Sequence, residues 1–303
     1  MDHSYLLKRC MLCPRECGAA RLDGEAGMCG MSSDIYVARA ALHMWEEPCI
    51  SGKEGSGTVF FTGCSLGCVY CQNQAIAKEH RGTEISVSRL AEIYLSLQEQ
   101  GANNINLVTA EHYVPQVCDS LTAAKAQGLR IPVVYNSGGY EKVETLKILD
   151  GLVDVYLPDF KYMDPQLAEK YSHAPDYPET AMEAIREMVR QSGEPAFDDR
   201  GMIKKGVIVR HLLLPGHVKD AKQVVEYLYR TYGDGIYLSL MSQYTPMEHM
   251  KQDPLLGRRV TRREYERLVD HAVSIGVTKG FIQDREVAEE SFIPSFDGEG
   301  VRD

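Results

Sequence analysis

The chain has 303 residues, 44% of them hydrophobic and 25% charged, which is the balance of a globular protein with room for one large domain and a small appendage. A formal net charge of −10 excludes a surface built to seek phosphate, because non-specific nucleic-acid binding rests on clustered Lys and Arg. The first nine residues lack the apolar core of a signal peptide, and no stretch reaches the roughly 18 apolar residues of a membrane span. A cytoplasmic location is therefore expected, where thiols stay reduced and nine cysteines turn towards metal rather than disulfides.

Residues 1–54 are rich in Cys, Gly and short polar stretches and carry no long helical period. Cys10-x2-Cys13-Pro-Arg-Glu-Cys17 and Cys29 in Gly27-Met-Cys29-Gly supply four thiolates. Such a set suits a tetrahedral Zn²⁺ or an auxiliary iron–sulfur cluster, since both are held by four cysteines. A metal here would staple a segment too small to have its own core. The expected division is thus a Cys-rich segment over 1–54 and a barrel with a C-terminal tail over 55–303. Cys49 and Cys118 read as isolated thiols.

From Gly57 onward, short apolar runs alternate with amphipathic ones, the pattern of a parallel sheet covered by helices. Strands are predicted over Thr58–Thr62, Ile105–Thr109, Ile131–Tyr135, Val153–Leu157, Gly206–Leu213 and Gly235–Leu240. Helices are predicted over Val87–Gln100 with Ser86 as N-cap, Val114–Ala126, Glu141–Leu149, Pro178–Gln191, Asp220–Thr231 and Arg262–Ser274. The last opens on Thr261-Arg-Arg-Glu264, a capping box. The basic run Gly257-Arg-Arg-Val-Thr-Arg-Arg263 reads as that helix's start on a solvated face. Asp159–Arg200 is long enough to hold two helices. Six such units predict an α/β fold, a partial (β/α)6 TIM-like barrel with a small Cys-rich N-terminal extension.

Chemistry in such barrels gathers at the C-terminal strand ends, and the informative residues fall there. The first strand runs into Phe61-Thr-Gly-Cys64-Ser-Leu-Gly-Cys68-Val-Tyr70-Cys71, a C-x3-C-x2-C triplet that can hold three irons of a [4Fe–4S] cluster and leave the fourth open. Glu111 and His112 follow the second strand, and Asn136-Ser-Gly-Gly139 the third. Asp159 and Lys161 follow the fourth, Arg210 lies on the fifth, and Gln243-Tyr244 follow the sixth. His211, next to Arg210, points to the opposite face of its strand and packs on a helix.

With Tyr70 before Cys71, the triplet resembles the cluster motif of the radical S-adenosylmethionine (radical SAM) enzymes. Within that superfamily the chain is similar to the pyruvate formate-lyase activating enzymes, and most of all to homologues with a cysteine-bearing N-terminal extension. The resemblance implies that Cys64, Cys68 and Cys71 bind the cluster while the methionyl amine and carboxylate of S-adenosylmethionine chelate the open iron. An electron passed through the cluster, from a flavodoxin or ferredoxin, then cleaves the sulfonium bond to methionine and a 5′-deoxyadenosyl radical. It further implies that Tyr70 lies near the adenine, the other reading being a ring packed against the first helix.

Thr109-Ala110-Glu111 stands where the family has Gly-Gly-Glu, keeping the glutamate and losing both glycines. Asn136-Ser-Gly-Gly-Tyr140 resembles Asp-Thr-Asn-Gly-Phe, so Asn136 is either a ribose or amine contact or a turn residue. Asp159-Phe-Lys161 matches an Asp-x-Lys motif, implying Lys161 towards the methionyl carboxylate and Asp159 towards the amine, with a plain salt bridge as the alternative. Arg210 in Val209-Arg210-His-Leu-Leu-Leu-Pro215-Gly216 implies a carboxylate or ribose contact. The family's sixth-strand histidine is missing, leaving Gln243 or Tyr244 in its place. The activase reaction implied is hydrogen abstraction from a glycine of a glycyl radical enzyme. The alternatives are radical chemistry on another peptide or small molecule, and a non-catalytic iron–sulfur electron carrier. No nucleic acid or membrane partner is expected.

Overall fold

The structure is a computed structural model that describes residues 3–282 and 294–301. Its strands are β1 (Ile35–His43), β2 (Ser56–Phe61), β3 (Thr83–Ile85), β4 (Ile105–Val108), β5 (Val133–Ser137), β6 (Val155–Pro158), β7 (Ala196–Phe197), β8 (Ile203–Leu212), β9 (Tyr237–Met241) and β10 (Gly280–Ile282). They form one sheet in the order β10-β9-β8-β6-β5-β4-β2-β1-β3, with β7 paired to β8 at the side. From β2 through β10 the neighbours on this path run parallel, whereas β1 is antiparallel to both β2 and β3. The sheet is not closed, so the architecture is the expected partial barrel.

Every residue of β2, β4, β5 and β6 is buried, which is why these strands read as continuous apolar runs. The helices wrap the outside. In Val87–Glu99 the buried Leu90, Ile93 and Leu97 lie on one face, and Ser86 accepts from the Arg89 N–H as N-cap. Burying each of those aliphatic side chains contributes about 1.5–3 kcal/mol against about 1 kcal/mol for the cap, so packing holds the helix and the cap only sets where it starts. The Thr261/Glu264 capping box is present, and Asp159–Arg200 carries two helices, Pro165–Ser172 and Tyr177–Ser192.

Besides the short strands β3 and β7, three features differ from the sequence expectation. β10 adds a further short parallel strand. The helix expected over Glu141–Leu149 begins only at Val143 and tightens to 3-10 geometry from Lys147, because Tyr140 and Glu141 turn inward. Between residues 1 and 54, β1 pairs with β2 across the expected boundary and so joins the barrel sheet.

The residues before β1 cross the C-terminal ends of the strands. Arg21, fully buried, donates to the His112 carbonyl at 2.7 Å and to the Ser32 carbonyl. Arg15 reaches the Ser65 and Ser172 carbonyls at 2.9 Å each, and Thr145 Oγ1 donates to the Leu12 carbonyl at 2.6 Å. At the other end of the chain, residues 294–301 lie along β1, where Ala40 N–H donates to the Glu299 carbonyl at 2.9 Å. Among the described residues no helix is long and apolar enough to cross a membrane.

Candidate metal and cofactor site

The thiol loop leaves β2 through Gly63, whose φ of +94° lies in the left-handed region. A Cβ at this position would stand 2.3 Å from Met31 Cγ and 2.9 Å from the Cys29 carbonyl oxygen, so only glycine lets the loop lie this close under the N-terminal segment. The contact is sealed by Cys64 N–H, which donates to the Cys29 carbonyl at 3.3 Å. Ser172 Oγ donates to Cys68 Sγ at 3.0 Å. All three thiols line a cavity of about 150 Å³ shared with Thr109, Glu111, Asn136, Glu141, Asp159, Lys161 and Arg210. Burial, then the charges of Glu111 and the neighbouring thiols, pushes Cys64 well up, and burial takes Cys71 to about 11. Among the described residues no three Cys, His, Asp or Glu side chains converge on one ion. A cluster assigns one thiolate to each iron, so the triplet needs no common point.

On the side of β5, β6 and β8 the cavity is bounded by an ionic lattice. Asp159 receives Lys161 Nζ at 2.6 Å on one oxygen and Arg210 Nε at 2.9 Å on the other. Arg210 continues to Glu46 Oε2 at 3.2 Å and Asn136 Oδ1 at 2.5 Å, while Glu46 Oε1 accepts from the Asn106 and Asn136 amides. Burial opposes ionisation of Asp159, but Arg210 and Lys161 outweigh it and hold the carboxyl below its usual range. Lys161 is raised in turn: burial works against its charge, and Asp159 and Cys68 prevail. Both oxygens of Asp159 are thus engaged by cations. Glu46 comes from the loop after β1, and no periodicity or motif singled it out in the sequence.

The same cavity is lined by two further carboxyls, Glu111 and Glu141. Glu111 Oε1 accepts from Ser65 Oγ at 3.2 Å and, at 3.5 Å, from its N–H, but Oε2 has no partner among the described residues. Glu141 is 3% exposed, and its oxygens have no partner at full hydrogen-bond geometry among the described residues, the Ser137 hydroxyl being the polar group beside them. Burial and then the Glu111 charge push Glu141 up to about 8, with Ser137 easing its ionisation in part. Gly139 brings the chain round to it: at φ +77° its missing Cβ would stand 2.1 Å from the Asp159 carbonyl oxygen. Glu141 escaped the sequence reading because it was taken as the first residue of a helix. Thr109 keeps a left-handed backbone, φ +60°, despite its branched Cβ.

Other predicted residues lie elsewhere. Tyr70 is buried among Tyr171 and Tyr244, its hydroxyl 2.6 Å from that of Tyr162, and does not line the cavity. Tyr244 donates to the Leu256 carbonyl at 2.7 Å. Gln243 lines a second space of about 410 Å³ with Trp45, Glu47 and Phe281, which touches the first at Arg210. His112 does not line the cavity; its Nε2–H donates to the Thr62 carbonyl at 2.7 Å. Cys10, Cys13 and Cys29 are buried and Cys17 exposed. Cys17 and Cys29 Sγ lie 3.3 and 3.5 Å from where a Gly27 Cβ would be, and Arg21 donates to Cys10 Sγ at 3.7 Å.

The family model of the radical SAM superfamily matches residues 58–228, the stretch from β2 past β8 that carries the triplet with Asp159, Lys161 and Arg210. This chain belongs to the radical SAM superfamily. An uncharacterized protein of Methanocaldococcus jannaschii is 28% identical over 274 residues, 88% of this chain and 75% of that one. The FeFe-hydrogenase maturase HydG from Carboxydothermus hydrogenoformans superposes with a TM-score of 0.52 at 12% identity, covering 78% of this chain and 55% of that one. A domain of a pyruvate-formate lyase-activating enzyme from Bacteroides vulgatus gives a TM-score of 0.39 at 16% identity, over 55% of this chain and 89% of that one. At such identities a likeness concerns the fold and not the substrate.

Membership in the radical SAM superfamily implies a [4Fe–4S] cluster and S-adenosylmethionine. The donor set suits both: three thiols on one loop, and buried carboxylate oxygens still lacking a proton donor. The 150 Å³ cavity is smaller than the roughly 300–1,000 Å³ usual for a whole ligand. A second space of about 410 Å³ meets it at Arg210.

Proposed function

We propose that this radical SAM protein holds its cluster on Cys64, Cys68 and Cys71 and uses it to activate a glycyl radical enzyme such as pyruvate formate-lyase. The single observation that carries this reading is the meeting of the thiol triplet, the Asp159–Lys161–Arg210 lattice and two under-bonded glutamates in one cavity. When bound, the cluster supplies one electron that divides S-adenosylmethionine into methionine and a 5′-deoxyadenosyl radical. The chain's own work is to bind and orient. Lys161 and Arg210 present positive charge to a carboxylate or ribose, Asn136 offers an amide, and the N-terminal segment excludes water from above the thiols. Tyr70 acts through packing, behind the cavity wall. An electron donor such as flavodoxin or ferredoxin and a cytoplasmic setting complete the proposal.

Anaerobic reconstitution followed by dithionite and S-adenosylmethionine tests the reading. 5′-Deoxyadenosine is expected from the wild type and not from a Cys64/Cys68/Cys71 triple Ala variant. A protein loaded with iron that releases none defeats the proposal. Metal analysis of the same variant addresses residues 1–54, proposed as a metal-bearing segment: retained zinc points to a structural site at Cys10, Cys13, Cys17 and Cys29, and retained iron to a second cluster. A glycyl doublet in the electron paramagnetic resonance spectrum of a co-purified partner would identify an activase. One observation favours a second reading, radical chemistry on another peptide or small molecule. The 410 Å³ space beyond Arg210, with Trp45 and Phe281 in its wall, is of small-ligand size.

A further inference from the structure

We propose that Ser172 tunes the reduction potential of the cluster by donating a hydrogen bond to the Cys68 thiolate, with Tyr162 and Tyr70 behind it as positioning residues. The inference rests on the radical SAM reading above and gives a task to Ser172 and Tyr162, which no sequence motif marked.

Four polar atoms stand in one buried row. Ser172 Oγ lies 3.0 Å from Cys68 Sγ and 2.9 Å from the Tyr162 hydroxyl, which lies 2.6 Å from that of Tyr70. All four side chains are buried, so bulk water does not compete for these bonds. Counting hydrogens fixes their direction. A cysteine bound to iron is a thiolate and can only accept. Ser172 gives its one hydroxyl hydrogen to Cys68, so its contact with Tyr162 requires Tyr162 to donate. Tyr162 has then spent its own hydrogen, and Tyr70 donates to it. Every donor points towards the sulfur, the arrangement in which successive bonds polarise and strengthen one another. The other two thiols take backbone donors from their own loop, Gly67 N–H for Cys64 and Asn73 N–H for Cys71. Cys68 takes its donor from a side chain 104 residues away.

The row is held in place from several sides. Ser172 is the last residue of the helix Pro165–Ser172, which His173 ends in the left-handed region at φ +52°. Val69 N–H donates to the Tyr171 carbonyl at 2.9 Å, tying the end of that helix to the residue after Cys68. Arg15 ties the same two parts again, Nε to the Ser65 carbonyl and Nη2 to the Ser172 carbonyl, each at 2.9 Å. Tyr171 and Tyr244 stand edge-on to the Tyr70 ring, with centroids at 6.4 and 6.2 Å. The bond to the sulfur is thus a fixed part of the fold, and Tyr70 serves it beyond its packing. Reduction adds negative charge to a cluster and its sulfurs, and a hydrogen bond to a sulfur stabilises that charge. The row therefore raises the potential and makes the cluster easier to reduce.

The test is a redox titration of the reconstituted protein without S-adenosylmethionine, read by the electron paramagnetic resonance signal of the reduced cluster. Ser172→Ala, at the iron content of the wild type, is expected to lower the reduction constant about tenfold, a fall of about 59 mV for one electron. Tyr162→Phe leaves the serine in place and is expected to give a smaller fall, about two- to threefold. Should the alanine variant not hold iron, Tyr162→Phe alone decides. An unchanged or raised potential in the loaded variant overturns the inference and leaves the radical SAM reading standing. A loaded wild type with no reducible cluster overturns that reading and the inference with it.

Discussion

Thr109 carries a left-handed backbone just after β4, where it lines the thiol cavity. For a residue other than glycine that conformation costs about 1–2 kcal/mol, while glycine loses about 0.5–1 kcal/mol in chain entropy. Thr109→Gly is therefore expected to stabilise the protein by up to about 1 kcal/mol, read as a higher midpoint in urea at unchanged slope; a fall in midpoint contradicts the strain. The buried histidines give a pH dependence. Burial lowers His112 to about 3 and His211 to about 4, and the Nδ1–H of His211 donates to the Phe160 carbonyl at 2.7 Å. Below pH 6.5 the unfolded chain binds protons that the folded one refuses, so stability falls as pH drops towards 4. Each histidine steepens the fall by up to about 1.4 kcal/mol per pH unit. Denaturation at pH 6.5, 5.5 and 4.5 checks the slope, and His211→Gln should lessen it; a variant slope equal to the wild type's argues against the buried neutral imidazole. At this scale the sequence is legible where spacing constrains chemistry, as in Cys64, Cys68, Cys71 and the Asp159–Lys161 pair. Glu46 and Glu141 were illegible because each reaches the barrel from a loop, where no period tells inward from outward.

Among the elements, the strands buried on both faces and the long amphipathic helices could be read from the sequence with shifts of a few residues. β1 was missed because it lies in a cysteine-rich stretch and shows only interrupted burial, and β3, β7 and β10 because two or three residues carry no pattern. The helix Arg262–Ser274 was legible from its cap. Thr261 Oγ1 accepts from Glu264 N–H, and Glu264 accepts in return from Thr261 N–H, from the Arg258 guanidinium and from Gly216 N–H. Thr261→Ala is expected to cost about 0.5–2 kcal/mol, measured as a lower denaturation midpoint. An unchanged midpoint would mean that Arg258 and Gly216 alone fix the helix start.

Over the whole molecule, the N-terminal segment and the barrel share their interior. Arg21 is 0% exposed, its guanidinium lies over the Tyr113 ring at 5.8 Å, and its donors reach carbonyls in both parts. The sequence could not show this, since Arg21 stands 91 residues from His112 and nothing local marks it. Arg21→Ala leaves the buried Ser32 and His112 carbonyls unpaired and should cost about 1–3 kcal/mol for each, with faster backbone hydrogen exchange over both residues 10–33 and the thiol loop. Exchange confined to the N-terminal segment would show that the two parts open independently.

Among the described residues, Arg210 alone lines both the thiol cavity and the space bounded by Trp45 and Phe281. It is a partition held at once from Asp159 just after β6, Glu46 in the loop after β1, and Asn136 on β5. Swinging it aside would break charge-assisted bonds to two carboxylates together, so those bonds hold the wall between the two spaces in place. The wall between the two spaces is therefore ionic, and its rigidity rests on charge rather than on packed bulk.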